Sequence, residues 1–195
     1  DFLSEIRKEG VKLRISQETV TLGGHELLLR NAEADDAQML LTYLKTTAEE
    51  TRFLLKEPEE LVMTLEDEKN FIESQNASDS NLMILGFLDG EHVGNCSLMG
   101  NPWMRYRHRV TVAIALYQKF IGLGIGTLMM KKLTDVAREH GIEQLELEVV
   151  ADNERAVALY KKLGFQVCGQ MPKNMKYKDG TYADVLFMVC DCTGN

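Results

Sequence analysis

The chain reads as an α/β protein, a mixed sheet with helices on both faces, and three observations predict it. A β-type run, RVTVAIAL (109–116), feeds a glycine-rich loop, Gly122-Leu123-Gly124-Ile125-Gly126, which opens straight into a helical pattern. Asp89-Gly90 separates two apolar runs, as a tight hairpin turn does. Downstream, a strand-like run is followed at Asn153 by an amphipathic helix that Gly164 terminates.

Taken in order, residues 1–24 read as an N-terminal extension: a short amphipathic start, a strand over Val11–Ile15 and a Gly23-Gly24 turn. The core then runs over 25–190 of a single domain, 1–195, with no repeat and no Pro/Gly/Ser linker. His25–Arg30 is a strand. Asp35–Thr51 is a helix capped by Asp35 or Asp36, with Met39, Leu40, Tyr43 and Leu44 on one face. Pro58 suits the first turn of a second helix reaching about Gln75, which Leu61, Leu65 and Ile72 support. Asn81–Leu88 and Glu91–Met99 form the hairpin, and Arg107–Leu116 adds a third strand. After the glycine loop, Thr127–His140 is a helix closed by Gly141. Gln144–Val150 is a strand, Asn153–Leu163 a helix, and Phe165–Gly169 and Asp184–Val189 the closing strands.

Composition narrows the classes of function. A 45% hydrophobic, 27% charged chain of 195 residues can bury a substantial core. Net charge of −8 argues against a nucleic-acid partner. No apolar run approaches the ~18–20 residues that cross a bilayer, so no membrane partner is expected. The start, DFLSEIRKEG, mixes both charge signs and lacks the apolar core of a secretion signal, so a cytoplasmic enzyme or binding protein is expected. Cys96, Cys168, Cys190 and Cys192 have no zinc spacing and no histidine cluster beside them; they read as buried thiols, and no metal is expected. Between Glu49 and Glu73, nine acidic residues face three basic ones. A solvated helix face explains that excess simply; attraction of a cationic substrate is the sharper reading.

The glycine loop is suited to an anion. Glycines let the backbone turn with its N–H groups pointing inward, and the helix N-terminus adds partial positive charge. A nucleotide P-loop needs lysine after the last glycine, whereas Thr127 stands there. A dinucleotide fingerprint needs G-x-G-x-x-G directly after a strand; here the pattern is G-x-G-x-G, reached only after Tyr117–Ile121, although an acidic residue follows at Glu146.

The second element is Asn153-Glu-Arg-Ala156-Val-Ala-Leu159-Tyr160-Lys-Lys-Leu163-Gly164-Phe165. Together, strand–GLGIG–helix and strand–N-x-x-A-x-x-L-Y-x-x-x-G-F resemble the GNAT superfamily of acyl-CoA-dependent N-acetyltransferases. The resemblance covers about Leu27–Val189 and is densest within Val110–Phe165. It implies a central, mostly antiparallel twisted sheet of about seven strands, whose splayed central strands hold the cofactor. It also implies acetyl-CoA as co-substrate and a small-molecule or peptide amine as acceptor. The family pattern R/Q-x-x-G-x-G/A places its first residue on Ile121, so a side-chain contact to the phosphates is missing. Backbone amides of Gly122, Leu123, Gly124, Ile125, Gly126 and Thr127 are left to bind pyrophosphate, with Lys119, Lys131 or Lys132 as the basic neighbour.

By the same resemblance, backbone groups of Ile114, Ala115 and Leu116 pair with the pantetheine arm, and an N–H near Leu116 polarises the thioester carbonyl. The plain alternative, a buried central strand, is compatible with that role. Tyr160 falls on the tyrosine placed near the thioester sulfur as general acid, and Ala156 lies on the same helical face; a core aromatic is the structural reading. Asn153 matches an asparagine contacting the cofactor arm, and a helix N-cap explains it almost as well. For the general base, His108 competes with Glu146, Glu148, Asp184 and Tyr182, and with an ordered water chain. Acceptor-lining candidates are Glu49, Glu50, Arg52 and Phe53, with Trp103 and Met104. Exposed strands or apolar helix faces in such folds often pair, so a homodimer is an expectation. Two other classes stay open: an acyl-CoA sensor without turnover, favoured by the missing Arg/Gln at Ile121, and a dinucleotide oxidoreductase.

Overall fold

The computed structural model describes residues 12–193. Its strands are β1 (Glu18–Leu22), β2 (His25–Asn31), β3 (Asn81–Leu88), β4 (Glu91–Gly100), β5 (Arg109–Leu116), β6 (Gln144–Val150), β7 (Gln166–Lys176) and β8 (Tyr182–Asp191). They form one open sheet in the order β1-β2-β3-β4-β5-β6-β8-β7. Only β5 and β6 are parallel; every other neighbouring pair is antiparallel. A single parallel pair rules out the doubly wound sheet that a dinucleotide fold requires.

The sheet has eight strands rather than about seven because the chain before residue 25 is not a detached extension. β1 pairs residue for residue with β2 across Gly23-Gly24. The strand expected at Val11–Ile15 does not form over residues 12–15, and Val11 lies outside the described residues. Leu13 and Ile15 alternate as a strand would, and both are buried. Their backbone partner is a side chain: Asn31 Oδ1 accepts from the Ile15 amide at 3.3 Å, and its Nδ2 donates to the Ile15 carbonyl at 2.8 Å.

Two helices cover each face. On one lie α1 (Ala37–Glu50) and α2 (Leu65–Ala77), whose Leu40, Tyr43 and Ile72 pack with Met83 and Leu85 of β3. On the other lie α3 (Ile125–Glu139) and α4 (Glu154–Lys162), which bury Met129, Met130, Leu133 and Tyr160 against Val110, Val112, Leu145 and Leu147. Helix boundaries moved where local chemistry competed. Asp36 does not cap α1: its carboxylate takes Arg30 in a two-pronged pair at 2.7 Å and accepts the Glu33 amide. The second helix begins at Leu65, not at Pro58, which opens a single 3-10 turn. Thr64 and Asp67 close a reciprocal capping box there (3.1 and 2.9 Å) that outcompetes the proline signal.

The final strands are longer than expected, and β7 carries almost no buried residue because it is the sheet's edge. An edge strand wet on both faces has no apolar alternation to read, and Pro172 is tolerated there. Cys96, Cys190 and Cys192 are buried, whereas Cys168 is exposed on β7. Among the described residues no helix is long and apolar enough to cross a membrane.

Under α1, the rings of Tyr43, Phe87 and Tyr117 surround His92 at 5.2–5.8 Å. Burial pushes the imidazole pKa down to about 4. The unfolded chain therefore binds the proton more readily, and the neutral ring's contribution is complete above pH 6.5 and drains as pH falls toward 4. Chemical denaturation at pH 7 and pH 5 checks this: His92→Phe loses about 2 kcal/mol less over that interval than the parent chain.

Candidate functional site

The site is built on a break in the sheet. β5 and β6 pair only through Arg109↔Gln144, Val110↔Leu145 and Thr111↔Glu146, then diverge. Tyr117 N donates to Val93 O, so by strand alternation the backbone groups of Ala115 face β4 and those of Ile114 and Leu116 face the gap. On the other lip, Ala151 N donates to Asp184 O of β8, which turns the backbone of Glu148 and the amide of Val150 toward the same gap, while the Val150 carbonyl accepts the Asn153 amide at 2.9 Å. Two rows of strand backbone thus face each other without pairing. A guest carrying amides along an extended chain meets that demand as an extra strand would.

Ala115 departs from the sequence reading. Its carbonyl points to β4 and accepts the Tyr43 hydroxyl at 2.9 Å, so Ile114 and Leu116 alone on β5 offer free backbone at the splay. A bulge at Val93, where Gly86 opposes Gly94 but Phe87 opposes His92, bends β4 beside this point.

At the mouth of the gap, the chain turns through Gly122 and Gly124, both at positive φ (+89° and +86°). A Cβ at Gly122 would meet nothing, and one at Gly124 only Leu22 at 3.6 Å, so the loop leaves an open, side-chain-free cradle. α3 starts two residues earlier than expected, with Gly124 as its N-cap. The first helical bond runs from Leu128 N to Gly124 O, leaving the amides of Ile125, Gly126 and Thr127 without helical acceptors. A Cβ at Gly126 would come within 3.5–3.8 Å of Leu159, Leu116 and Ile114, so the cradle backs onto side chains of both α4 and β5. The cradle fits a diphosphate. Ile121 precedes it in extended conformation, adding no charge, and Leu123 is half exposed on its rim. Lys119 is engaged by Glu91 and Lys132 by Glu18, while Lys131 is exposed on α3.

Tyr160 lies on α4 in the same core, 8% exposed, its ring 5.8 Å from that of Phe165. Burial pushes its phenol up to about 12, so the hydroxyl stays protonated and able to donate. Asn153 caps α4, accepting the Ala156 amide at 3.3 Å, and its amide nitrogen stays available to a guest.

The base candidates separate by position. His108 is an exposed turn residue at the closed end of the sheet, its carbonyl holding the Glu143 and Gln144 amides. Six residues of strand put it roughly 20 Å from Ile114. Trp103 and Met104, both highly exposed, share that end. None of the three is brought to the splay. Glu146 is held by Arg109 at 2.6 Å. Asp184 accepts Gln170 Nε2 and the Lys173 amide, which hold it below the usual carboxylate range; Tyr182 is exposed beneath Lys173 and Lys176. Glu148 is exposed on the β6 lip, on the α1 face, and among the described residues nothing pairs with its carboxylate.

The segment after α1 straps across the mouth on that face. Glu50 accepts the Gln118 amide just beyond β5 at 2.8 Å. Arg52 reaches Asp152 just beyond β6 at 3.8 Å and lies 4.1 Å over the Tyr177 ring, while Phe53 packs against Val150, Ala183 and Val185. Lys178 of the last hairpin pairs with Glu57 and Glu59 at 3.5 and 2.5 Å, neutralising part of the acidic stretch. Glu49 does not join Glu50: it lines a separate cleft of about 450 Å³ on the outer side of α1, with Leu41, Leu61 and Met63. The Tyr177 pedestal had no local signal, because only the fold brings that hairpin under Arg52.

The family model for acetyltransferases of the GNAT family matches residues 39–165. A crystal structure of a GNAT-family acetyltransferase from Streptococcus pneumoniae superposes with a TM-score of 0.81 at 30% identity, over 85% of this chain and 99% of that one. The structure of a protein from Salmonella typhimurium, with its cofactor acetyl-CoA, shares the fold at TM-score 0.76 and 19% identity, over 87% and 95% of the two chains. A mycothiol acetyltransferase of Beutenbergia cavernae is 29% identical over 153 residues, 73% of this chain and 50% of its own length. The chain spans about half the length of the first curated relatives it matches.

Proposed function

The chain belongs to the acetyltransferase (GNAT) family, and from that premise we propose that it moves an acetyl group from acetyl-CoA to a primary amine of a small molecule or peptide, by direct attack in a ternary complex. The observation that carries this reading is the pair of unpaired strand edges leading to the side-chain-free cradle at Gly122 and Gly124. Amides of Ile125, Gly126 and Thr127 hold the diphosphate, and backbone at Ile114 and Leu116 takes the pantetheine arm. The Leu116 N–H polarises the thioester carbonyl as negative charge grows on its oxygen, a kind of contact worth ~3–4 kcal/mol.

The acceptor enters on the α1 face beneath the strap, where Glu50, Arg52 and Phe53 are gathered. An amine is mostly protonated at neutral pH and must give up that proton before it attacks. Glu148, unpaired on the β6 lip, accepts it, directly or through one water. The new C–N bond forms and the C–S bond breaks; Tyr160 delivers its proton to the departing sulfur, and the second proton that the nitrogen sheds in becoming an amide restores the phenol through water.

The test mixes the protein with acetyl-CoA and a panel of amino acids, polyamines, amino sugars and peptides, and reads free thiol. One amine class raises thiol release well above background hydrolysis, and Glu148→Gln suppresses it while acetyl-CoA binding persists. Tight acetyl-CoA binding with no turnover on any amine would leave a sensor in place of an enzyme.

A further inference from the structure

We propose that Tyr43 is a positioning residue for acetyl transfer: its hydroxyl, acting through the Ala115–Leu116 peptide, aims and strengthens the backbone donor that meets the thioester carbonyl. The inference rests on the transferase reading. It concerns a side chain that is 2% exposed on α1 and that sequence spacing marks only as part of an apolar face.

A single peptide unit joins the two sides of β5. Ala115 supplies its carbonyl, which points to β4, and Leu116 supplies its N–H, which faces the gap. In a trans peptide these two groups are antiparallel and lie in one plane, so whatever fixes the oxygen also fixes the direction of the N–H. The register opposite Asn95 already gives that oxygen a strand partner. A carbonyl has two lone pairs, and Tyr43 donates to it as well, at 2.9 Å. Gly94 presses on the same oxygen from β4, close enough that a Cβ there would lie 2.3 Å away.

A buried phenol needs a hydrogen-bond partner, and Asn95 Oδ1, at 3.1 Å, would answer that need alone. The hydroxyl nevertheless sits closer to the Ala115 carbonyl. Its ring is held in place edge-on, by His92 at 5.2 Å and Tyr117 at 5.4 Å. Burial pushes the phenol's pKa up, so the proton stays on the oxygen and the group remains a donor. Hydrogen bonds in series polarise one another in a low-dielectric interior. Donation to the carbonyl draws electron density onto its oxygen and leaves the N–H across the plane more positive. Negative charge growing on the thioester oxygen then meets a stronger dipole that has no freedom to turn away.

The experiment binds acetyl-CoA carrying ¹³C at the thioester carbonyl to the full chain, without amine, and compares its infrared stretch with that of free acetyl-CoA. The parent chain is expected to lower the frequency. Tyr43→Phe returns it part of the way to the free value. With the amine that thiol release identifies, the same variant lowers kcat roughly two- to eightfold while KM for acetyl-CoA holds. Asn95→Ala removes the competing acceptor and keeps the bond to Ala115, so its stretch and kcat stay at the parent's values even where thermal stability drops. Should Tyr43→Phe fold poorly, 3-fluorotyrosine at position 43 tests the converse: a more acidic phenol donates more strongly and takes the frequency below the parent's. A parental shift that survives unchanged in both Tyr43 variants overturns the proposal, as does an equal loss of kcat in Asn95→Ala. Absence of any shift in the parent instead removes the Leu116 donor from the transferase reading itself, so the two failures are distinguishable.

Discussion

Gly94→Ala is expected to cost about 3–5 kcal/mol, because it combines an unfavourable backbone conformation with a backbone clash. Gly94 sits at φ +145°, and an added Cβ would lie 2.3 Å from the Ala115 carbonyl oxygen and 2.8 Å from the Leu116 Cα. Neither neighbour can swing aside as the end of a flexible side chain would. At ~2–4 °C per kcal/mol for a chain this size, the melting temperature drops by roughly 6–20 °C. Gly90→Ala is the matched control: its φ is +86°, but nothing lies within 4 Å of the added carbon. Only the conformational cost of about 1–2 kcal/mol remains there. Thermal unfolding of the two variants decides the matter, and equal losses would refute the clash. Since Leu116 lies on one lip of the splay, acetyl-CoA affinity is expected to fall in Gly94→Ala and to hold in Gly90→Ala.

Tyr160→Phe is expected to lower kcat by about 10²–10³, with KM for acetyl-CoA and thermal stability nearly unchanged. Among the described residues no hydrogen bond holds the phenol oxygen, so its removal leaves the packing against Phe165 intact. The sign of the pH effect follows from the raised pKa of about 12 against an ordinary value near 10. Between these values the unfolded chain ionises first, so the tyrosine's contribution to stability is complete below pH 10 and lost as pH rises toward 12. Tyr160→Phe therefore also flattens the alkaline loss of stability. A variant that keeps its kcat and loses stability instead makes Tyr160 a packing residue.

Much of the site was legible because its determinants are local. The glycines at 122, 124 and 126, the Asn153 cap and the Tyr160 face lie within one strand–loop–helix and one strand–helix unit, where spacing along the chain equals spacing in space. The hairpin at Asp89-Gly90 was readable for the same reason, since two residues set its turn. Misread boundaries fell where two local signals competed, as Pro58 did with the Thr64–Asp67 box. They also fell where an edge strand carried no apolar period, as in β7.

From the sequence alone came the order of the main strands and helices, the anion cradle and the family resemblance, each encoded in short-range periodicity and turn chemistry. Tertiary structure alone decided which carboxylates are free. Glu146 and Glu148 are alike in sequence, but strand register sets Arg109 against the first and the open splay beside the second. It also set His108 at the closed end of the sheet, brought Tyr177 under Arg52, and left His92 buried without a partner. Those outcomes depend on which strands become neighbours, and pairing between distant segments is a property of the packed chain that no local window of residues contains.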